Sequence, residues 1–548
     1  MIHWIKYIGI SVLFISFLLL LGTVMVCDMQ FQAAGEQACQ RFWLGRAVML
    51  SAVCCLIYSF FVERTKHSSI FYQLAIWALI LVGGAEAAWG LRQIYGLTSS
   101  NHVLFSLTGS FYNPGPYSGY LAMVFPVCLS EWLRLGKNGK RTWIEQGLYY
   151  LDTLILLLII CVLPAGMSRS AWIAAIVSGL WVYNMYCSWT SHWKDVMIKY
   201  KKKVLPVIII GGILLLIIAY ALFYLKANSA SGRLFMWKIS CMAIAERPFA
   251  GHGAGSFAEA YGQAQESYFA QGEFADWEEL VAGSPEYAFN EYLQIAVEYG
   301  IPVLLLILSG ITFCMWRGVK GRRYAACGGV IAFLVFAFSS YPLQIPGFTI
   351  GFLVLLAACV IGRSKWLLLL FIIVMASVGI YNMKYNQYDD CKQWVSCRML
   401  YKMGSYQTAK KEYEKLYPVF KDRGTFLFEY GHSLHKLGEY ETSNKILKEA
   451  VKYSSDPMVL NIIGKNYQGM KKYEEAEHWF LRSTHRLPGR IYPYFLLTKL
   501  YADPEFYHPE QLQLMADKVL TKEPKVQSTA VREMRAEVRK IMETIKLQ

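Results

Sequence analysis

Two arginines, two asparagines and two bends rich in glycine are the residues of this chain whose types and spacing could do chemistry. Arg169 lies in Ser168-Arg169-Ser170, a short turn between two apolar runs. An arginine at the end of an apolar run usually reaches for lipid headgroups. This one falls on the side otherwise poor in Lys and Arg, and a charge placed against that bias is a candidate for function. Its guanidinium would offer an anion a fixed charge and paired donors. The second arginine, Arg233, closes Ser231-Gly232-Arg233 and is followed by Trp237. Next comes Pro248-Phe-Ala-Gly251-His252-Gly253-Ala-Gly255. No strand–turn–helix unit surrounds these glycines, so they mark a tight backbone bend and not a dinucleotide site. Asn290 and Glu291 follow Phe289, and Gly300 stands before the next apolar run. Upstream, Gly109-Ser-Phe-Tyr112-Asn113-Pro114-Gly-Pro116 is too rich in Pro and Gly for a regular helix. Irregular backbone at membrane depth is tolerated inside protein or beside a water-filled cavity. No metal-ligand cluster and no CxxC pair appears.

The elements that position these residues are apolar. The 548 residues are 55% hydrophobic and 17% charged, against roughly 25% charged in a soluble domain. Spans need about 20 apolar residues. Eleven candidates are 7–26, 45–62, 70–90, 117–133, 148–165, 171–187, 204–225, 300–316, 324–341, 346–362 and 365–383. The first is too long for a signal-peptide core and reads as a retained helix. Alternate short loops hold seventeen Lys and Arg, from Arg64 to Lys365, whereas the opposite set holds eight. The positive-inside rule puts the richer set in the cytoplasm. The N-terminus is then cytoplasmic, and everything after the eleventh span lies outside. The same loops account for the net charge of +15, so nucleic acid is not an expected partner. The outside segment 226–299 carries ten acidic residues, and a loop of that length is usually functional. Most of the thirteen cysteines sit in apolar runs, but Cys27 with Cys39 and Cys391 with Cys397 could pair in an oxidising compartment.

After residue 384 the composition turns charged and a period appears. Gly404-Ser-Tyr406 recurs as Gly438-Glu-Tyr440 and again as Lys471-Lys-Tyr473, with Ala409, Ser443 and Ala476 three residues on. Gly431 and Gly464 repeat at the same period. Helix pairs with small residues at their crossing, stacked to bury a shared face, fit this pattern. The expectation is an all-α protein. Its bundle of about eleven spans covers residues 1–383, with a large loop at 226–299, and a soluble helical repeat domain covers 384–548.

The ordered set Arg169, Arg233, Pro248 with Gly251 and Gly253, and Asn290 with Gly300 resembles the O-antigen ligase and polymerase superfamily. The C-terminal period looks like tetratricopeptide repeats. The first resemblance implies a bacterial inner-membrane glycosyltransferase needing no cofactor or metal. Its donor would be a glycan on undecaprenyl diphosphate, and its acceptor a hydroxyl of lipid A core, growing polysaccharide or protein. Arg169 and Arg233 would stabilise the departing diphosphate, and Asn290, His252 and Glu291 would complete the catalytic set. Asn113, Tyr112, Trp237, Gly251 and Gly253 would bind substrate. Phe289 stands where ligases carry a histidine that is the proposed base, and His252, Glu291 and Glu286 are the candidates to replace it. The repeats, on the periplasmic side, would recruit a protein partner. The alternative is a transporter or flippase of lipid-linked or small substrates, which would favour charges within the spans and paired halves. A membrane-anchored scaffold would leave the arginines without a role.

Overall fold

The structure, a computed structural model, describes residues 2–26, 36–61, 67–137, 139, 141–189, 227–361, 365–524 and 527–546. Among them every regular element is helical. Among the described residues, six helices are long and apolar enough to cross a membrane: Tyr7–Met25, Ala38–Tyr58, Ser69–Ile94, Trp143–Gly166, Ile301–Lys320 and Leu369–Lys402. Tyr324–Ala337 and Pro346–Val360 are apolar but shorter. The chain is thus a multi-pass membrane protein, and six of the eleven expected spans meet these criteria among the described residues. The expected span 204–225 lies outside the described residues. Those at 117–133 and 171–187 fall in the helices Pro114–Gly136 and Arg169–Cys187. Each helix turns a buried side to its neighbours, and there polar groups such as Ser118, Ser130 and Ser178 lower the apolarity that lipid would demand.

The chain forms two compact units. The first holds residues 1–217, 289–291 and 305–392. Its helix Tyr324–Ala337 packs on Pro114–Gly136 and Arg169–Cys187, and Lys365–Lys384 packs on Glu36–Phe61. Phe333 stacks on Phe352 at 3.8 Å between centroids, and Phe17 meets Phe71 edge-on at 5.1 Å. Close packing, more than an aqueous hydrophobic effect, holds helices together in lipid.

The second unit joins residues 218–288 and 292–304 to 393–548. From Tyr406 onward, helices of 11 to 18 residues follow one another and pack in sequence. The period of the sequence has a physical source here. Gly404, Gly438 and Lys471 all adopt left-handed φ, at +78°, +79° and +59°, which turns the chain from one helix into the next. Ala409, Ser443 and Ala476 are buried behind those turns. Gly431 faces Leu447, and 33 residues later Gly464 faces Phe480, each glycine leaving no room for a Cβ.

Cys391 and Cys397 do not pair. They share the helix Tyr388–Lys402, where six residues correspond to a rise of about 9 Å, beyond the usual reach of a disulfide. The Cys397 thiol donates instead to the Ala409 carbonyl at 3.4 Å. Cys27, the partner considered for Cys39, lies outside the described residues.

Candidate functional site

In the first unit, the Pro/Gly-rich segment runs into the helix Pro114–Gly136. Asn113 is its N-cap: Oδ1 accepts from the Gly115 amide at 3.0 Å, and Pro114 opens the first turn. This is a favoured start, because the cap satisfies an orphan amide and proline has none to lose. The same Asn113 donates through Nδ2 to the Tyr341 hydroxyl at 3.4 Å. Tyr341 in turn meets the Phe289 ring edge-on, with centroids 5.0 Å apart. Phe289 holds a left-handed φ of +48°, uncommon for an aromatic residue and a sign that its surroundings fix it.

Beyond Phe289, Asn290 is 4% exposed and Glu291 3%. The Glu291 carboxylate accepts from the Leu343 amide at 2.6 Å and from Gln344 Nε2 at 3.4 Å. The structure therefore brings Asn113, Phe289 and Glu291 to one turn, Tyr341 to Gln344. Tyr341 is a member that the sequence reading missed. Its signal was Ser340-Tyr341-Pro342, a break between two apolar runs.

A second missed set supports the Asn113 segment. Gln93 Oε1 accepts from the amides of Thr108 and Gly109 at 2.9 and 2.7 Å, and its Nε2 donates to the carbonyls of Ser99 and Gly109 at 3.0 and 3.1 Å. Asn101 donates to the carbonyls of Ser110 and Phe111 at 3.1 and 3.3 Å. Glu86 accepts from the Ser110 amide at 3.2 Å and from the Ser110 hydroxyl. These buried groups of the irregular backbone thus find their partners within protein, as burial requires. Glu86 and Gln93 are seven residues apart, on one helix face, and a carboxyl inside an apolar run was the available signal.

Arg169 is the first residue of the helix Arg169–Cys187, after Ser168 as its N-cap. The turn leading to it is set by Met167 at a φ of +46° and by Trp172 Nε1, which donates to the Leu163 carbonyl at 2.9 Å. A helix N-terminus already carries partial positive charge, so an arginine there adds to a field that favours anions.

In the second unit, Arg233 and Trp237 are half-buried and one turn apart on the helix Ala227–Glu246, so they share a face. Lys238, next to Trp237, meets the Tyr268 hydroxyl at 2.7 Å and Glu278 at 2.6 Å. The ammonium and phenol hold the Glu278 carboxyl below its usual range.

Further along, the bend at Pro248–Gly255 closes on the end of the helix Glu291–Tyr299. The His252 amide donates to the Val297 carbonyl at 2.8 Å, the Gly253 amide to the Glu298 carbonyl at 2.9 Å, and the Ile301 amide back to the Pro248 carbonyl at 2.8 Å. Two glycines make this approach feasible. Gly251 has a φ of +66°, and a Cβ there would sit 2.5 Å from the Glu298 backbone. Gly300 has a φ of +84°, and its Cβ would sit 2.2 Å from the Phe249 carbonyl oxygen. The two glycine motifs separated in sequence are therefore halves of one backbone clamp. Glu298 caps it by accepting from the Gly255 amide at 3.2 Å and from Gln294 at 3.1 Å, and burial raises its pKa. His252 Nε2 lies 2.8 Å from the Ala243 carbonyl. A carbonyl only accepts, so Nε2 is the donor in this contact and Nδ1 is the ring nitrogen left for an acceptor role. Glu286, the remaining proton acceptor considered, is exposed.

Of the residues read from sequence, Arg169, Asn113, Tyr112, Asn290 and Glu291 belong to the first unit, and Arg233, Trp237, Gly251, His252 and Gly253 to the second. Among the described residues no three His, Cys, Asp or Glu side chains gather as a metal site. No curated protein matches the chain. Residues 154–308 do match the family described as O-antigen ligase. That stretch contains Arg169, Arg233, the whole glycine clamp and Asn290, and its similarity to the O-antigen ligase family suggests a glycosyltransferase-like activity for this multi-pass membrane protein.

Proposed function

We propose that this protein transfers a glycan from an undecaprenyl-diphosphate carrier to an acceptor hydroxyl on the outer face of the inner membrane. The observation that carries the reading is the match of residues 154–308 to the O-antigen ligase family. The acceptor oxygen attacks the anomeric carbon as the bond from that carbon to the phosphate oxygen breaks. The diphosphate departs with the electron pair, and a single displacement inverts the anomeric centre. Arg169 and Arg233 each take up charge that develops on the leaving diphosphate, which is where fixed donors contribute most. No metal is required for that charge. Asn290 and the acceptor's proton belong to the opposite side of the reaction. His252 Nδ1 is the better-suited proton acceptor, because Glu291 already receives two donors. General-base help of this kind contributes about 10²–10⁴-fold.

In the same reading the N-terminus is cytoplasmic and residues 384–548 are periplasmic tetratricopeptide-like repeats that meet a protein partner. The recurring left-handed turns and the glycine contacts 33 residues apart support the repeat assignment. Asn113, Tyr112 and Trp237 contact the glycan or its carrier.

The test is an assay of purified protein with a labelled lipid-linked glycan and an acceptor. Wild type should form a new glycosidic bond. Arg169→Ala and Arg233→Ala should each lower kcat by about 10²–10³-fold while the protein inserts and purifies normally. Wild-type rates from either variant would sink the assignment of that arginine.

A further inference from the structure

The large loop and the C-terminal helices fold as parts of one unit, and their contacts are more than surface packing. The helix Phe257–Ala270 of the loop lies against the helix Tyr473–Arg486 of the array. Glu266 receives Arg482 Nε at 2.6 Å and Arg486 Nη2 at 2.8 Å. Arg486 is 1% exposed. Its guanidinium fits over Gly262, where a Cβ would come within 3.1 Å of the guanidinium carbon. Gln265, the neighbour of Glu266, donates to the carbonyls of Gly283, at 3.1 Å, and of Arg486. Its oxygen accepts from the Tyr261 hydroxyl at 2.7 Å. One side chain thus ties both arms of the loop to the end of an array helix.

Two further contacts reach the loop from other helix pairs of the array. Lys522 pairs with Glu279 at 2.6 Å, and Ser455 donates to the Pro285 carbonyl at 3.2 Å. Leu487 completes the apolar cluster of Phe235, Phe257, Tyr261 and Phe269. These contacts end at Gly283 and Pro285, a few residues before Asn290. An arginine this deeply buried is costly unless it is paired, and the pairing carboxylate comes from the loop.

We infer that the C-terminal array acts in cis as the scaffold of the large loop, with Glu266, Arg482 and Arg486 as positioning residues for the segment that leads into Asn290. The inference rests on the glycan-transfer reading for its effect on catalysis. Its structural half, that the array orders residues 257–288, stands independently of that reading.

The experiment uses the full-length protein in nanodiscs. Amide hydrogen exchange over residues 257–288 and transfer from a labelled lipid-linked glycan are measured for wild type, Arg486→Met and Glu266→Gln. Lys522→Ala, which removes a half-buried contact, serves as the mild variant should the first two fail to fold. We expect exchange over 257–288 to rise at least 10-fold in Arg486→Met and about 3-fold in Lys522→Ala, with exchange in the bundle helices unchanged. We expect kcat to fall at least 10-fold in Arg486→Met while the donor KM changes less than 2-fold, and Arg486→Lys to restore part of the loss. Unchanged exchange in the loop would overturn the scaffold. A loosened loop with wild-type kcat would overturn the positioning role. Wild type that forms no glycosidic bond would remove the glycan-transfer reading, while the exchange result would still decide whether the array orders the loop.

Discussion

In the bundle, the irregular backbone from Ser99 to Phe111 is held by side chains. Glu86, Gln93 and Asn101, all buried, meet its amides and carbonyls one by one. In the second unit, the bend from Pro248 to Gly255 is held by backbone meeting backbone, and ion pairs fasten the helices around it. The two regions use different devices. Buried backbone groups must find partners within protein, and in the first region long polar side chains reach out to meet them. In the second, close approach of backbone to backbone and charge do the same. The first device needs polarity at fixed places and, at Gly109 alone, a glycine, because a Cβ there would sit 2.3 Å from the Tyr117 ring. The second tolerates changes of polarity but needs the absence of a Cβ.

That contrast is broken most severely at Gly300. Gly300→Ala puts a methyl into the Phe249 carbonyl and forces a side chain onto a φ of +84°. The clamp cannot relax without losing the amide bonds of His252 and Gly253. We expect a loss on the order of 3 kcal/mol or more, read as a drop of the thermal midpoint of the purified protein. Removing a charge contact nearby should cost far less. Lys238 is nearly half-exposed, so its pair with Glu278 is screened and contributes little. If Gly300→Ala were as stable as wild type, the clamp would not be the device that holds the large loop.

The clamp also shows how much was legible beforehand. The sequence reading took Pro248, Gly251 and Gly253 as a bend and Gly300 as a separate mark. Both were legible because only glycine accepts such backbone angles without strain. That they are two halves of one contact was not legible, since no local pattern says which bend meets which helix end. The C-terminal period in the sequence has a related physical source: Gly404, Gly438 and Lys471, all at left-handed φ, stand 34 and 33 residues apart. Glu86, Gln93 and Tyr341 were overlooked because each is a single polar residue in or beside an apolar run, and what it holds lies several residues away along the chain or on another helix. The attachment of the loop to the array was hidden altogether. Glu266 and Arg486 are 220 positions apart, and neither stands out among its charged neighbours.

The side-chain device is tested at Gln93. Gln93→Leu keeps the volume and removes every polar contact of the side chain, so the Thr108 and Gly109 amides and the Ser99 carbonyl each lose a partner, and the Gly109 carbonyl keeps only the longer contacts from Asn101 and Thr108. We expect about 2–4 kcal/mol of lost stability, with faster proteolysis between Ser99 and Asn113. Gln93→Glu should recover part of it, because an acid can still meet the two amides but cannot donate to both carbonyls. Equal stability of Gln93→Leu and wild type would mean that the segment is held by packing alone, and the contrast between the two regions would fall.

The smallest effect belongs to Glu298, where the two devices meet: a buried acid that supports a backbone clamp. Burial raises its folded pKa above that of the unfolded chain. The native state therefore binds more protons than the unfolded state between those two values. Stability must then fall as pH rises from the ordinary glutamate range through the folded pKa, the reverse of what a salt-bridged acid gives. His432 acts with the opposite sign. Burial, helped by His435, Lys436 and Lys465, pushes its pKa down to about 4, so its contribution is lost as pH falls from about 6.5 toward 4. Glu298→Gln should flatten the decline on the alkaline side and leave the acid-side loss in place. Gln still offers an acceptor to the Gly255 amide, so the change at neutral pH should stay within about 1 kcal/mol. Midpoint measurements across pH 4 to 8 separate the two groups, and a variant whose profile matches wild type would show that Glu298 keeps an ordinary pKa and that the clamp is solvated.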